Sequence, residues 1–190
     1  MTIAAGKSQT FYFAITPTSA FTQAIPILFS CNYLQPALLV PGVNTFLLTS
    51  STTPVADVIS IGATATNDGI LALSSATATG AFGSAAINIA TAGNVTFAVK
   101  DAPTGGTSPN LPLTLTLCQT NPSNGQCVNP ATPAPSVTIS VAQNQTLTFS
   151  IFAQGQGTAI PLDPAINRIY VSATQNGVAV GETSVAIRTP

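Results

Sequence analysis

The apolar residues of this chain come in short alternating runs, and no sustained stripe at helical spacing accompanies them. Val, Ile, Thr, Phe and Leu cluster, break at Gly, Pro, Asn or Asp, and cluster again, which is how strands and their turns are written. The pattern predicts strands at TFYFAIT (10–16), IPILFSC (25–31), NTFLLTS (44–50), DVISIGATA (57–65), GILALS (69–74) and GSAAINIA (83–90). It predicts six more at NVTFAVK (94–100), LPLTLTLC (111–118), SVTISVA (136–142), QTLTFSIFA (145–153), NRIYVSAT (167–174) and ETSVAIRT (182–189). Asn67-Asp68-Gly69 and Asn176-Gly177 read as hairpin turns, because Asn and Gly tolerate the positive φ angles that tight hairpins need. The implied fold class is all-β, built from antiparallel sandwiches.

Three stretches share a loose skeleton: residues 2–31, 87–118 and 138–173. Each has an Ile-rich strand end, a Gly/Asn/Gln turn, a Thr-Phe strand, a polar loop and a Pro-marked apolar strand. A recurring strand–turn–strand–loop–strand unit predicts two tandem sandwich domains, residues 1–92 and 93–190, divided near Ala92–Asn94. DAPTGGTSPN (101–110) is the other candidate boundary, and a single extended sandwich is the alternative. NPATPAP (129–135) reads as a crossover loop.

Composition narrows the setting. Hydrophobic residues make up 45% of the chain and charged residues 5%, with a net charge of −1. Ordinary soluble domains carry about 25% charged residues. Disorder does not follow, because disordered chains pair low hydrophobicity with high charge. The apolar runs break at Pro, Asn or Thr well short of the roughly 20 residues a spanning helix needs, so no membrane span is expected. Solubility rests on Thr, Ser, Asn and Gln, as in exported proteins and in proteins that pack against their own kind. Low net charge also leaves little colloidal repulsion. Lys7, Lys100, Arg168 and Arg188 are scattered, so there is no basic footprint for nucleic acid and no polybasic membrane patch. MTIAAGKSQTFYF lacks the charged and then apolar regions of a signal peptide. It suits a mature region with a start Met added, or else a protein exported without a cleaved signal or not exported at all.

Cys118 and Cys127 bracket QTNPSNGQ. A structural zinc site usually needs four Cys or His ligands, and this chain has three Cys and no His. A redox pair wants Cys-x-x-Cys at a helix start. A disulfide fits best, with Asn124-Gly125 turning the loop; two idle thiols are the alternative. A bridge would place the protein outside the cytosol, at an extracellular or cell-surface location. Cys31 is read as a small core residue, with an intermolecular bridge as the sharper idea.

The absence of His removes Ser-His-Asp and Cys-His catalysis and His-ligated metals. The acids Asp57, Asp68, Asp101, Asp163 and Glu182 sit singly in turns and strand ends. They read as turn and capping residues rather than paired catalytic carboxylates or clustered calcium ligands. No catalytic residue, metal site or cofactor is therefore expected. Asp163 and Arg168 in IPLDPAINRIY are a candidate structural ion pair. Asn94 and Asn144 open N-x-T triplets, which a Thr/Asn-rich chain yields by chance.

TFYFAITP with IPILFSC, LPLTLTLCQTNPSNGQC and NRIYVSATQNGVAVGETSVAIRT resemble the immunoglobulin-like β-sandwich repeats of large secreted or surface proteins of bacteria. The Cys118–Cys127 loop and PLDPAINRIYV are the most specific parts of the likeness. The resemblance implies tandem immunoglobulin-like domains in a stalk, adhesin or matrix module, with no catalytic residues to carry over. It lacks the buried Trp and widely spaced Cys pair of antibody domains.

The function expected is a non-catalytic extracellular structural or adhesive module, partnered by itself or by neighbouring domains of a longer chain. Strands such as TFYFAIT carry none of the charges that normally protect sheet edges. The candidate assembly strands are an N-terminal one with Phe11, Phe13 and Ile15, and a C-terminal one with Val185 and Ile187. The alternatives are a carbohydrate- or surface-binding module, with Thr114 and Thr116 facing a polysaccharide, or a viral capsid or tail sandwich.

Overall fold

The computed structural model describes residues 2–28, 30, 35–36, 39 and 44–190. Among them are twelve strands and no helix: β1 (Phe21–Pro26), β2 (Thr45–Ser50), β3 (Val58–Ala63), β4 (Ile70–Ala72), β5 (Thr79–Asn88), β6 (Gly93–Lys100), β7 (Leu113–Thr120), β8 (Cys127–Ala134), β9 (Ser136–Val141), β10 (Thr146–Gly155), β11 (Arg168–Gln175) and β12 (Val178–Arg188). β1 and β2 form a separate hairpin-like pair. The other ten make two five-stranded sheets, one ordered β3-β5-β10-β7-β8 and the other β4-β12-β11-β6-β9. Every pairing is antiparallel except β12 with β4.

The two sheets face each other across one core. Along β10, Leu147, Phe149, Ile151 and Ala153 are buried and alternate with half-buried or exposed positions, the period of a sheet with one face inside. From the opposite sheet, β6 sends in Val95, Phe97 and Val99 by the same alternation. The Phe97 and Phe149 rings meet with centroids 4.5 Å apart and planes tilted by 38°, an offset that suits their quadrupoles.

This single core corrects the tandem arrangement. β5 pairs with β10 and β4 with β12, so each sheet mixes strands from both sides of the expected 92/93 division. The reason lies in the N-terminal part. No described residue before Ala56 is buried, so residues 1–92 hold no separate core. The loose repeats reflect strand composition, not independent units.

Other local expectations also change. TFYFAIT (10–16) lies in no strand, while Phe21–Pro26, read as loop and strand start, is β1. Cys31 and much of the IPILFSC strand end fall outside the described residues. The Pro-rich stretch read as a crossover is β8. It is an edge strand, where Pro130 and Pro133 forfeit few ladder hydrogen bonds. Asn176-Gly177 does turn the β11–β12 hairpin, with φ of 52° and 80°. Asn67-Asp68-Gly69 does not close a hairpin. It carries the chain from β3 in one sheet to β4 in the other, with Asn67 and Gly69 at φ 55° and 72°.

Candidate assembly edge

The two sheets differ in charge. No Asp, Glu, Lys or Arg occurs in β3, β5, β10, β7 or β8, whereas β6, β11 and β12 carry Lys100, Arg168, Glu182 and Arg188. Those charges help cover the outer face of their own sheet. Glu182 Oε2 accepts from Thr104 N at 2.8 Å and Thr104 Oγ1 at 2.6 Å, and Lys100 Nζ lies 3.8 Å away. The 101–110 loop is thereby clipped onto the sheet, and Asp101 closes it by accepting from Ser108 Oγ and Leu111 N. Arg168 of β11 is buried. Its guanidinium donates to Pro164 O at 2.8 Å and to Ser184 Oγ and O at 2.9 and 3.2 Å. Burial lowers the Arg168 pKa and raises that of neighbouring Tyr170.

The uncharged sheet has a bare outer face, and its β3 edge is the most apolar part. Register sets Ile59 opposite Ile87 and Ile61 opposite Ala85, and the row continues through Thr148. Ile59 is 53% exposed and Ile61 64%. Two isoleucines point outward because the inward side has no room. At Gly62 an added Cβ would stand 2.9 Å from Val185 Cγ1, and at Gly181 it would overlap Val58 O. β3 and β12 thus pinch together, with Val58, Ser60 and Gly62 on the narrow inner side.

β3 has β5 as its only strand neighbour among the described residues. It carries no charge and no Pro, the usual devices that block edge pairing. Beyond the edge stands the β1–β2 pair, loosely set. Thr49 Oγ1 donates to Ala179 O at 2.6 Å, but cavities of about 260, 170 and 300 Å³ line the seam. The one lined by β3 itself, about 260 Å³, separates Val58–Ser60 from Thr45–Leu47.

The N-terminal segment adds a second uncharged surface. No charged residue lies between Lys7 and Asp57. Phe11, Tyr12, Phe13 and Ile15 are all exposed, Tyr12 at 93%. Phe13 touches Phe46 of β2, ring centroids 5.7 Å apart.

The remaining residues singled out from sequence fall as follows. Cys118 and Cys127 form a disulfide, with Cα atoms 5.5 Å apart. The Asp163–Arg168 ion pair does not form. Asp163 instead caps a turn, its Oδ1 accepting from Ala165 N and its carbonyl from Ile166 N and Asn167 N, while Arg168 takes the neutral acceptors above. Val185 and Ile187 are 1% and 0% exposed and point into the core. β12 has β11 on one side and β4 on the other. The C-terminal candidate strand is therefore committed within its own sandwich. Thr114 is exposed and accepts from Gln156 Nε2 at 2.7 Å, and Thr116 is half-buried opposite Phe152. Ile59 and Ile61 were missed as site residues. Their alternation was visible, but not which face of the strand turns outward.

Among the described residues there is no group of three or more His, Cys, Asp or Glu side chains placed to hold a metal ion, and no helix long and apolar enough to cross a membrane.

No family model matches the chain, and no curated protein matches it. Among solved structures it is similar to the CARDB domain of a Pyrococcus furiosus protein, determined with di-metal ions. That likeness has 8% identity and a TM-score of 0.32, covering 75% of this chain and 100% of that domain. It is also similar to AvmM, which catalyses macrocyclization in alchivemycin A biosynthesis. There the identity is 9% and the TM-score 0.28, over 85% of this chain and 96% of that one. Similarity at this level carries no functional argument, and the two-sheet sandwich stands on its own strand pairings.

Proposed function

We propose that the protein is a non-catalytic structural module of the extracellular space or cell surface, one that associates with its own kind through uncharged β-sheet edges. The carrying observation is the uncharged, apolar edge of β3 together with the exposed Phe11, Tyr12, Phe13 and Ile15, which lie in a stretch of sequence with no charge from Ser8 to Ala56. Burying such surfaces against each other is favourable at roughly 25 cal/mol per Å² and desolvates no ion. Exposed apolar patches of this kind mark interaction surfaces. The Cys118–Cys127 disulfide supports an oxidising compartment. The non-catalytic reading rests on the acids. Asp68, Asp101, Asp163 and Glu182 each hold a local turn or loop through hydrogen bonds.

The test is size-exclusion chromatography with light scattering over a wide concentration range, with negative-stain imaging of the same samples. Concentration-dependent oligomers or fibres of regular repeat are expected. A monomer at every concentration up to about 1 mM, the affinity floor of weak specific contacts, would overturn the reading.

A further inference from the structure

We infer that the cavity between the 101–110 loop and the 163–166 turn is a binding site for a neutral sugar ring. The inference goes beyond the self-association reading and does not depend on it.

Charge is scarce in this chain, with four basic and five acidic residues, and most of it holds the walls of this cavity. Glu182, beside Lys100, fastens the loop at Thr104. Asp101 Oδ2 ties the ends of the same loop together, accepting from Ser108 Oγ at 2.7 Å and Leu111 N at 2.8 Å. On the other wall the Asp163 carbonyl accepts from Ile166 N at 3.1 Å, and Arg168 donates to Pro164 O at 2.8 Å. Both walls are therefore fixed within the free protein, as preformed ligand sites are. The space between them is about 310 Å³, at the lower end of the roughly 300–1,000 Å³ of small-molecule sites.

Two polar groups in the lining lack partners. Tyr170 lines the cavity from β11 and is 2% exposed. Its neighbours Ile169 and Val171 enter the core, so Tyr170 stands on the outer face of the sheet. Its hydroxyl makes no hydrogen bond among the described residues, where every enclosed side-chain nitrogen or oxygen has one. The hydroxyl must then reach open space, and the cavity is that space. Asp101 also lines it, and its Oδ1 has no partner among the described residues. The rest of the lining includes Pro103, Pro109, Ala165 and Ile166.

These groups describe the ligand. A carboxylate oxygen only accepts, while a tyrosine hydroxyl donates and accepts. Neighbouring hydroxyls of one ligand satisfy both. The prolines, Ala165 and Ile166 offer a stiff apolar wall for a C–H face. Arg168 is buried two residues from Tyr170, and its charge is felt there; it opposes a cation, as Asp101 opposes an anion. A neutral, hydroxylated ring with an apolar face has this chemistry. The site lies on the opposite sheet from Thr114 and Thr116.

The experiment is saturation-transfer NMR on the full chain. The probes are glucose, galactose, mannose, N-acetylglucosamine, lactose, maltose and chitobiose, with butylammonium and butyrate as charged controls. Each is used at up to about 10 mM, where millimolar contacts register. At least one sugar should bind in preference to both controls. Tyr170→Phe removes one oxygen and should weaken that binding about tenfold, the share of one buried hydrogen bond. Ile166→Arg places a long cationic side chain at the mouth, beside Asp101, and should abolish it. Ile166 is 57% exposed, so this variant should keep the wild-type melting temperature and stands as the test if Tyr170→Phe fails to fold. Saturation of a disaccharide's end ring would identify a glycan chain end, and of a monosaccharide alone a free sugar; both support the inference. Binding of no sugar, equal or stronger binding of butylammonium or butyrate, or sugar binding unchanged in both variants would overturn it and leave the self-association reading standing.

Discussion

Asn88 gives the sharpest test of how the two sheets are tied together. It ends β5 at 1% exposure. Its Oδ1 accepts from Asp57 N at 3.0 Å and Ala90 N at 3.2 Å, and its Nδ2 donates to Thr91 O at 3.0 Å and Ala142 O at 3.3 Å. One amide thus joins the approach to β3, the β5–β6 turn and the β9–β10 turn. Asn88→Leu keeps the volume and removes all four bonds. At a net 0.5–1.5 kcal/mol each, with water reaching some of the freed groups, the loss is about 3–4 kcal/mol. For a chain of this size that lowers the melting temperature by about 6–16 °C. Asn88→Asp separates the two sides of the amide. It keeps the acceptor bonds but replaces the donor with a carboxylate oxygen facing two carbonyl oxygens, which raises the carboxyl pKa in the folded state. The penalty is then present above the unfolded carboxylate value. It recedes as pH falls through the raised folded value, where the protonated acid donates again. Differential scanning calorimetry of the three proteins at neutral pH and about pH 4, near the ordinary carboxylate value, reads both effects. An Asn88→Leu melting temperature within about 2 °C of wild type, less than 1 kcal/mol at this size, would refute the assignment.

Replacing Cys118 and Cys127 together by Ala should cost about 2–3 kcal/mol in the chain-entropy view of so short a loop, read as a shift in the urea midpoint. Gly181→Ala should destabilise by about 1–3 kcal/mol, because the new methyl overlaps Val58 O where β3 and β12 pinch together; unchanged thermal unfolding would contradict that closeness. Hydrogen bonds, first from Thr66 Oγ1 and then from Ile70 N, hold the Asp68 carboxyl below its ordinary pKa. Its stabilisation is present above the unfolded value and lost as pH falls through the lower folded value, so Asp68→Asn should flatten that part of the acid unfolding curve. Association through uncharged edges should strengthen in sulfate and change little between about 50 and 500 mM sodium chloride, the range over which ion pairing is screened; a steep loss with sodium chloride, followed by light scattering, would point to ionic contacts instead.

Much of the sandwich was legible because its strands are written in period two. In β10, Leu147, Phe149 and Ile151 face inward as the alternation says. The disulfide was legible because three Cys and no His leave few other uses for a nine-residue spacing. Pairing was not legible. Asn67-Asp68-Gly69 has hairpin chemistry but serves a crossover, and only the tertiary position of β12 decides that β4 runs parallel beside it. β8 was hidden by its prolines, which edge strands tolerate. Arg168 was expected to seek Asp163, five residues earlier in the chain. The turn that Asp163 caps presents Pro164 O to the guanidinium instead. The outward isoleucines of β3 depend on the pinch at Gly62 and Gly181, a long-range contact that no local pattern reports.

The distribution of charge connects these details. A small sandwich stays soluble and monomeric mainly by placing charges on its outer faces and edges. This chain has few, and the strand-borne ones lie on one sheet, where Lys100 and Glu182 fasten a covering loop and Arg168 holds the turn at Pro164. That sheet is closed by the protein's own loops. The other has neither charge nor such a clip, and its β3 edge ends in isoleucine. Burying such a face would carry none of the desolvation cost that an ion brings. Among the described residues, Phe11, Tyr12, Phe13 and Ile15 form another exposed apolar stretch without charge. Phe13 of that stretch touches Phe46 of β2, and cavities separate β2 from β3.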